Sequence, residues 1–441
     1  MAEKLTAMTA STEWASRPDD QRFWDLAEMN AVMGQHRHST DIINLDLKEL
    51  RLETSTVSGK ETLVARVPGE RQLVHMNYWP MDQLCKTVKA PASFLRTLPA
   101  ERAADTLNFR IKQFADNSAE LNLNEEDDDE FRPSQVMIRK EPDGLHAIGL
   151  TSQRYGRIWN HKITENLMSI GGGWKVPPAR PPFGDSVDKS KLLDGNNLMW
   201  DPKVANSWSA EQLLSRPRLR TASAHDVEGI NPGGLGIPVK IGDVIAPAGL
   251  YGTHSEMFVL MVDPSRRIEE GGLARGFILK NSEVGNGSFV LWAFYLEGVC
   301  GNHCLWGLKE MLEIRVVHLG DKAEVRAFDR MGQRLKLYAD SDTSREETVF
   351  ANAAKMILGK DRDEVIDTVF SKKILTRSFA EVAYDTAVES REIGMMNFEP
   401  NSVRGMVFGA TRASQTHTKW VDSRVTLDRA AGKLLQLADT N

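Results

Sequence analysis

Apolar and polar residues alternate through two short runs near the N-terminus, "LKELRLETS" and "ETLVARVP". A period of two predicts a pair of strands, turning at Ser58-Gly59. Ahead of them the spacing predicts a helix over 22–33, and residues 1–20 read as a mobile arm. "PASFLRTLPAERAADTLNFRIKQF" predicts a short helix, a break at Pro99, and a longer helix with Leu107, Ile111 and Phe114 on one side. "SQVMIRKE" and "GLHAIGLTS" predict a hairpin turning at Pro142-Asp143-Gly144. A helix follows in "NHKITENLMSI", with Ile163, Leu167 and Ile170 on one face.

Residues 21–170 therefore form an N-terminal α+β part. The stretch 171–220, with "GGGWKVPPARPPFGD", reads as a Gly/Pro-rich connector or insertion. From 221 to 340 the runs "LRTASAHDV", "VKIGDVIAP", "EMFVLMVD", "RGFILKNS", "SFVLWAFYLEGV", "LEIRVVHLG" and "AEVRAF" predict a strand-rich core. Helical periodicity takes over in 341–441, over 344–358, 363–370, 378–389 and 422–438. Strands followed by a run of helices predict an α+β fold: a central, mostly antiparallel sheet with flanking helices and a helical C-terminal region.

Composition changes this picture little. Of 441 residues, 41% are hydrophobic and 26% charged, as in ordinary globular proteins. A net charge of −6 argues against a globally basic nucleic-acid coat, yet it leaves a local basic groove open. Three cysteines are too few for a disulfide framework, and no apolar run has the length of a signal peptide or a membrane span. A cytoplasmic setting with no membrane partner is expected, and the sequon at Asn286 is discounted accordingly. The six consecutive acids 125–130 read as a solvated loop.

No G-x4-G-K-[ST], H-E-x-x-H, G-x-S-x-G or EF-hand pattern occurs, so no catalytic residue and no cofactor is assigned. Four clusters remain. In "VCGNHC", Cys300, His303 and Cys304 are weak metal candidates lacking the second close pair that a structural zinc site uses. The alternative is a packed corner, with Asn302 capping a short helix opened by His303, Cys304 and Leu305. In "RGFILKNSEVGNGSF", Arg275, Lys280, Asn281 and Ser282 could grip a phosphate or base edge with Glu283 as acceptor, or the hairpin could cap its own backbone.

"SQRYGRIWN" sets Arg154, Tyr155, Arg157 and Trp159 within six residues. Cations interleaved with aromatics suit a single-strand-binding surface, and equally an amphipathic entry to a helix with Tyr155 and Trp159 packed inward. In "EIRVVHLG", Arg315 and His318 fall on opposite faces by parity. Glu297, inside the most apolar strand, needs either a cationic partner or a raised pKa.

The stretch "GFILKNSEVGNGSFVLWAFYLEGVCGNHCLWG", followed by "EIRVVHLG", resembles the phage/plasmid-like family called domain of unknown function 932. Asn281-Ser282 and Val299-Cys300-Gly301-Asn302 stand where that family has an "N-S" hairpin and a "V-C-x-N" step. "PASFLRTLPAERAADTLN", "SQRYGRIWNHKITENL" and "LDRAAGKLL" resemble its N-terminal helical step, its S-x-R-Y element and its closing helix. The resemblance covers about residues 90–438, except the connector, and implies a mobile-element setting. The family has no established activity, so it supplies no catalytic residues, and Cys304 lies outside its pattern. Two functions are expected from these readings: a single-stranded nucleic-acid-binding or annealing accessory protein, or a metal- or carboxylate-dependent enzyme built around Glu283, Glu297, Cys300 and His303. A structural or partner-binding protein is the third.

Overall fold

The structure, a computed structural model, describes residues 7–9, 21–57, 60–120, 133–170, 174–176, 178–179, 219–227, 241–242, 244–247, 249–253, 256–263, 273–297, 304–307, 313–340, 344–392, 398–416 and 430–439. The fold is α+β, but it is organised around two large sheets rather than one. Among the described residues no helix is long and apolar enough to cross a membrane.

The N-terminal half opens with strands β1 (Ala7–Thr9) and β2 (Arg22–Phe23) and helix α1 (Leu26–His38). Asp25 caps α1 by accepting the Glu28 N–H, while the Glu28 carboxylate accepts the Trp24 N–H. That variant of a capping box fixes the backbone at Trp24. Next come β3 (Thr40–Asn44), β4 (Arg51–Val57), β5 (Lys60–Arg66) and β6 (Val74–Met76), then helices α2 (Tyr78–Thr87), α3 (Ala92–Leu95) and α4 (Ala100–Glu120). The hairpin β7 (Gln135–Glu141) and β8 (Gly144–Thr151) completes a six-stranded sheet of order β3-β7-β8-β6-β5-β4. Only β6–β8 pairs in parallel there. Leu107 and Ile111 of α4 are buried against this sheet, as their spacing requires.

Helix α5 (Asn160–Ile170) leads out of that sheet. Short strands β9 (Pro178–Ala179), β10 (Arg220–Thr221) and β11 (Val244–Pro247) form a small sheet of their own. Strands β12 (Leu250–Gly252), β13 (Met257–Asp263), β14 (Leu273–Asn281), β15 (Phe289–Glu297), β16 (Cys304–Gly307) and β17 (Glu313–Val316) build the second large sheet with β1 and β2. Its pairings are all antiparallel. One face, with Val259, Phe277, Leu279, Phe289 and Leu291, packs against α1, α5 and the helix Ala323–Asp340. Helices Ser344–Lys355, Arg362–Ser371, Arg377–Glu392 and Val403–Thr416 enclose a separate apolar core.

Several expectations change. The N-terminal arm contributes β1, which pairs with β16 through Ala7–Trp306 and Thr9–Cys304. Cys304 begins a strand rather than a helix. "AEVRAF" is the start of the helix Ala323–Asp340. Its apparent alternation hides a four-residue spacing, Ala323, Ala327, Met331 and Leu335, all buried, while Val325 is exposed. Within "LRTASAHDV" only Arg220–Thr221 is extended, and Ala224–Val227 forms a helical turn. The helix over 403–416 was not anticipated.

Candidate functional site

The residues singled out in "SQRYGRIWN" lie where the two large sheets meet. The chain leaves β8 through a turn closed by Tyr155 N–H to Ser152 O, then enters α5. There it runs beside the segment after β17: Gly156 N–H donates to His318 O and Gly320 N–H donates to Arg154 O. A Cβ on Gly156 would sit 2.1 Å from Gly320 O, so this approach demands a glycine. The Tyr155 hydroxyl donates to Ser282 O at 2.7 Å and accepts the Gly285 N–H at 3.0 Å. Its ring stacks on His318, with centroids 4.9 Å apart and planes within 7°. Arg157 donates to Thr151 Oγ1 and Gln135 Oε1 and contacts the Met137 sulfur. Trp159 packs on Met137, Ile148 and Val284 and carries the Arg37 guanidinium 4.3 Å from its ring centre.

The hairpin between β14 and β15 supplies the other half of the joint. Asn281 Nδ2 donates to Ile158 O and Asn160 Oδ1, both at 2.8 Å. Glu283 accepts the Asn160 N–H at 2.6 Å and so caps α5 from the far sheet. Val284 O accepts from Trp79 and Gln83, while Gln83 Oε1 accepts the Leu150 N–H. Ser282 Oγ accepts the N–H groups of Val284 and Asn286, so the hairpin also caps its own backbone. Gly149 admits Val284, whose Cβ would lie 2.6 Å from a Cβ at 149.

Burial sets the electrostatics of this joint. It pushes the Tyr155 hydroxyl up and the Arg157 guanidinium down from their ordinary values. It raises the Glu283 carboxyl, against the opposing pull of the Asn160 N–H and of Arg139, Arg37 and Arg157. His318 is depressed to about 4, by burial first and by the nearby Arg157 charge, although its bond to Gly156 O works the other way. The joint thus accounts for Tyr155, Arg157 and Asn281 as internal clasps.

The remaining cations sit elsewhere. The register Lys280–Val290–Arg315 puts Lys280 and Arg315 on one face of the second sheet, on either side of β15. Arg275, five residues from Lys280 on the same strand, stands opposite Asp263 and Tyr295 in the backbone register, at a position of the other parity. The parity of β17 holds beyond its end: Ile314, Val316 and His318 are buried, and Arg315, Val317 and Leu319 are exposed. Arg315 Nε reaches Ser288 Oγ at 3.4 Å, exposed Arg154 is tied to Gly320, and Arg326 donates to Leu319 O. The Arg326 guanidinium thus touches the backbone of Leu319, and the Arg154 carbonyl is joined to the neighbouring Gly320, beside the exposed aliphatic pair Val317 and Leu319. Sequence reasoning missed Val317, Leu319 and Arg326, although the alternation in "IRVVHL" carries the first two.

Of the metal candidates, Cys300 and His303 lie outside the described residues, as do the six acids 125–130. Cys304 and Glu297 are located by backbone alone, Glu297 opposite Leu273. Among the described residues no group of three or more His, Cys, Asp or Glu side chains is placed to hold a metal ion. Cys85 is buried in the N-terminal core, and burial pushes its thiol up to about 11.

A cavity of about 470 Å³ opens at the start of α1. Its lining includes Trp24, Asp25, Trp174, Lys175, Arg220 and His225. Arg220 lies 4.2 Å from the centre of the Trp24 ring and pairs through two nitrogens with Asp226. Burial alone would raise the Asp226 carboxyl, but bonds from Arg220 and Ser223 hold it below its usual range. None of these six residues was singled out by pattern, because they come from three separate stretches of chain.

Comparisons with protein-family models, with curated proteins and with solved structures found no match to this chain.

Proposed function

We propose that this chain is a nucleic-acid-binding accessory protein of the phage/plasmid-like kind, acting on single strands without covalent chemistry. The observation that supports this reading is the exposed stripe Arg315, Val317 and Leu319, with Arg154 and Arg326 beside it. Guanidinium groups meet backbone phosphates, and aliphatic side chains between them offer apolar contact to splayed bases. Lys280 extends the same sheet face from the other side of β15.

The test is binding of a labelled single-stranded oligonucleotide of about 20 nucleotides at about 50 and 200 mM salt. Affinity falls steeply with salt in the wild type. The double variant Arg154→Ala/Arg315→Ala binds more weakly, and its slope against log salt is reduced by about 0.7 per lost phosphate contact. Absence of binding at the lower salt, or an unchanged slope in the double variant, refutes the reading. Tyr155→Ala is unsuited to this test, because loss of the joint would lower affinity indirectly.

A further inference from the structure

The cavity at the start of α1 is built from parts that no nucleic-acid surface described above uses. Two indoles enter it. Trp24 is held by its backbone N–H, which donates to the Glu28 carboxylate, and by the Arg220 guanidinium over its ring. Trp174 is fixed by an edge contact to Phe277, 5.1 Å away, and by Tyr338 lying nearly parallel at 6.3 Å. The backbone of Lys175 is pinned to Val262 in both directions, N–H to O at 2.8 Å and O from N–H at 2.9 Å. Its ammonium group has no hydrogen-bond or carboxylate partner among the described residues, and Lys175 lines the cavity.

Charge in the cavity is mixed, and the mixture is informative. Asp226 is matched by Arg220, so it does not repel an anion. Lys175 has no ion-pair partner among the described residues, and His225 lines the same cavity. Asp25 uses one carboxylate oxygen for the Glu28 N–H, and its other oxygen takes no donor among the described residues. A ligand that satisfies all of these has a flat ring, an anionic end and hydroxyl donors between them. The volume lies within the range of about 300–1,000 Å³ typical of small-molecule sites.

We propose that this cavity binds a nucleoside monophosphate: the base lies against an indole, the phosphate meets Lys175 and His225, and the ribose hydroxyls donate to Asp25. Base–indole stacking and a carboxylate facing ribose hydroxyls are recurrent solutions for this ligand class. The site is independent of the stripe at Arg315, so it stands or falls separately from single-strand binding.

Titrate the full chain with adenosine 5′-monophosphate by calorimetry, and repeat with adenosine, ribose 5-phosphate and inorganic phosphate. Saturable binding of the monophosphate is expected, with each fragment weaker by about tenfold or more. Lys175→Ala, a half-buried side chain without a partner among the described residues, is expected to weaken the nucleotide by about tenfold while leaving adenosine unchanged. Trp174→Leu is expected to weaken both nucleotide and adenosine. The Arg154→Ala/Arg315→Ala variant keeps full nucleotide affinity. No saturation at millimolar nucleotide overturns the proposal, as does wild-type affinity in Lys175→Ala or inorganic phosphate binding as tightly as the nucleotide. Intact single-strand binding alongside such a failure would remove the pocket assignment alone.

Discussion

Acidification should loosen the joint between the two sheets through His318. The ring is 5% exposed, Nδ1–H donates to Gly156 O at 3.1 Å, and Nε2 is buried without a hydrogen-bond partner. Protonating Nε2 would bury a second N–H with nothing to accept it, close to the Arg157 cation. The folded pKa of about 4 therefore lies below the unfolded value of about 6.5. A depressed histidine contributes stability that is present above the unfolded pKa and lost as pH falls through the folded one. Integrating between these values gives a loss of about 2 kcal/mol by about pH 5 and about 3 kcal/mol by about pH 4, relative to pH 7. Carboxylates elsewhere also titrate in this window, so the measurement is a difference. Urea unfolding of wild type and His318→Asn is compared at matched pH, asparagine keeping a donor for Gly156 O. The stability difference in favour of wild type should shrink by that amount on acidification. A difference that stays constant between about pH 7 and 4 would refute the reasoning.

Three further outcomes follow from the same joint. Tyr155→Phe keeps the ring on His318 but leaves Ser282 O and Gly285 N–H without their partner, at a cost of about 1–2 kcal/mol in urea unfolding. Gly149→Ala drives a methyl group into Val284, and overpacking of this kind costs about 1–3 kcal/mol; Gly69→Ala, with open space around it but a positive φ, should cost only the local backbone strain. Glu283 has the opposite pH dependence from His318: its raised folded pKa gives stability that is full below about pH 4.3 and is lost as pH rises through the folded value. Glu283→Gln, which still accepts the Asn160 N–H, should therefore gain on wild type as pH rises, in paired urea titrations.

Local pattern was a good guide wherever one face of an element meets a core. The β7–β8 hairpin, α4 after Pro99, α5 and the helices from 344 to 392 all occupy the stretches that their periodicity indicated. It misled at "AEVRAF", where six residues satisfy a period of two by chance and only the longer Ala323–Leu335 spacing reveals a helix. The prediction that Arg315 and His318 diverge also holds, because strand parity is fixed by backbone geometry.

The sequence by itself determined the α+β class, the placement of most strands and helices, and the types of residue available for binding. Tertiary structure alone decided which of them face solvent. Tyr155, Arg157 and Asn281 have the composition of a nucleic-acid surface, yet Tyr155 and Asn281 clasp one sheet to the other through partners 121 to 130 residues away, and Arg157 ties its segment to β7 and β8. Lys280 and Arg275 share a strand at positions of opposite parity. Trp24, Lys175 and Arg220 carry no mutual spacing and meet at one cavity. The reason is physical: a residue's chemistry and its local period are encoded within a few neighbours, whereas burial and partnership depend on contacts made across the whole chain.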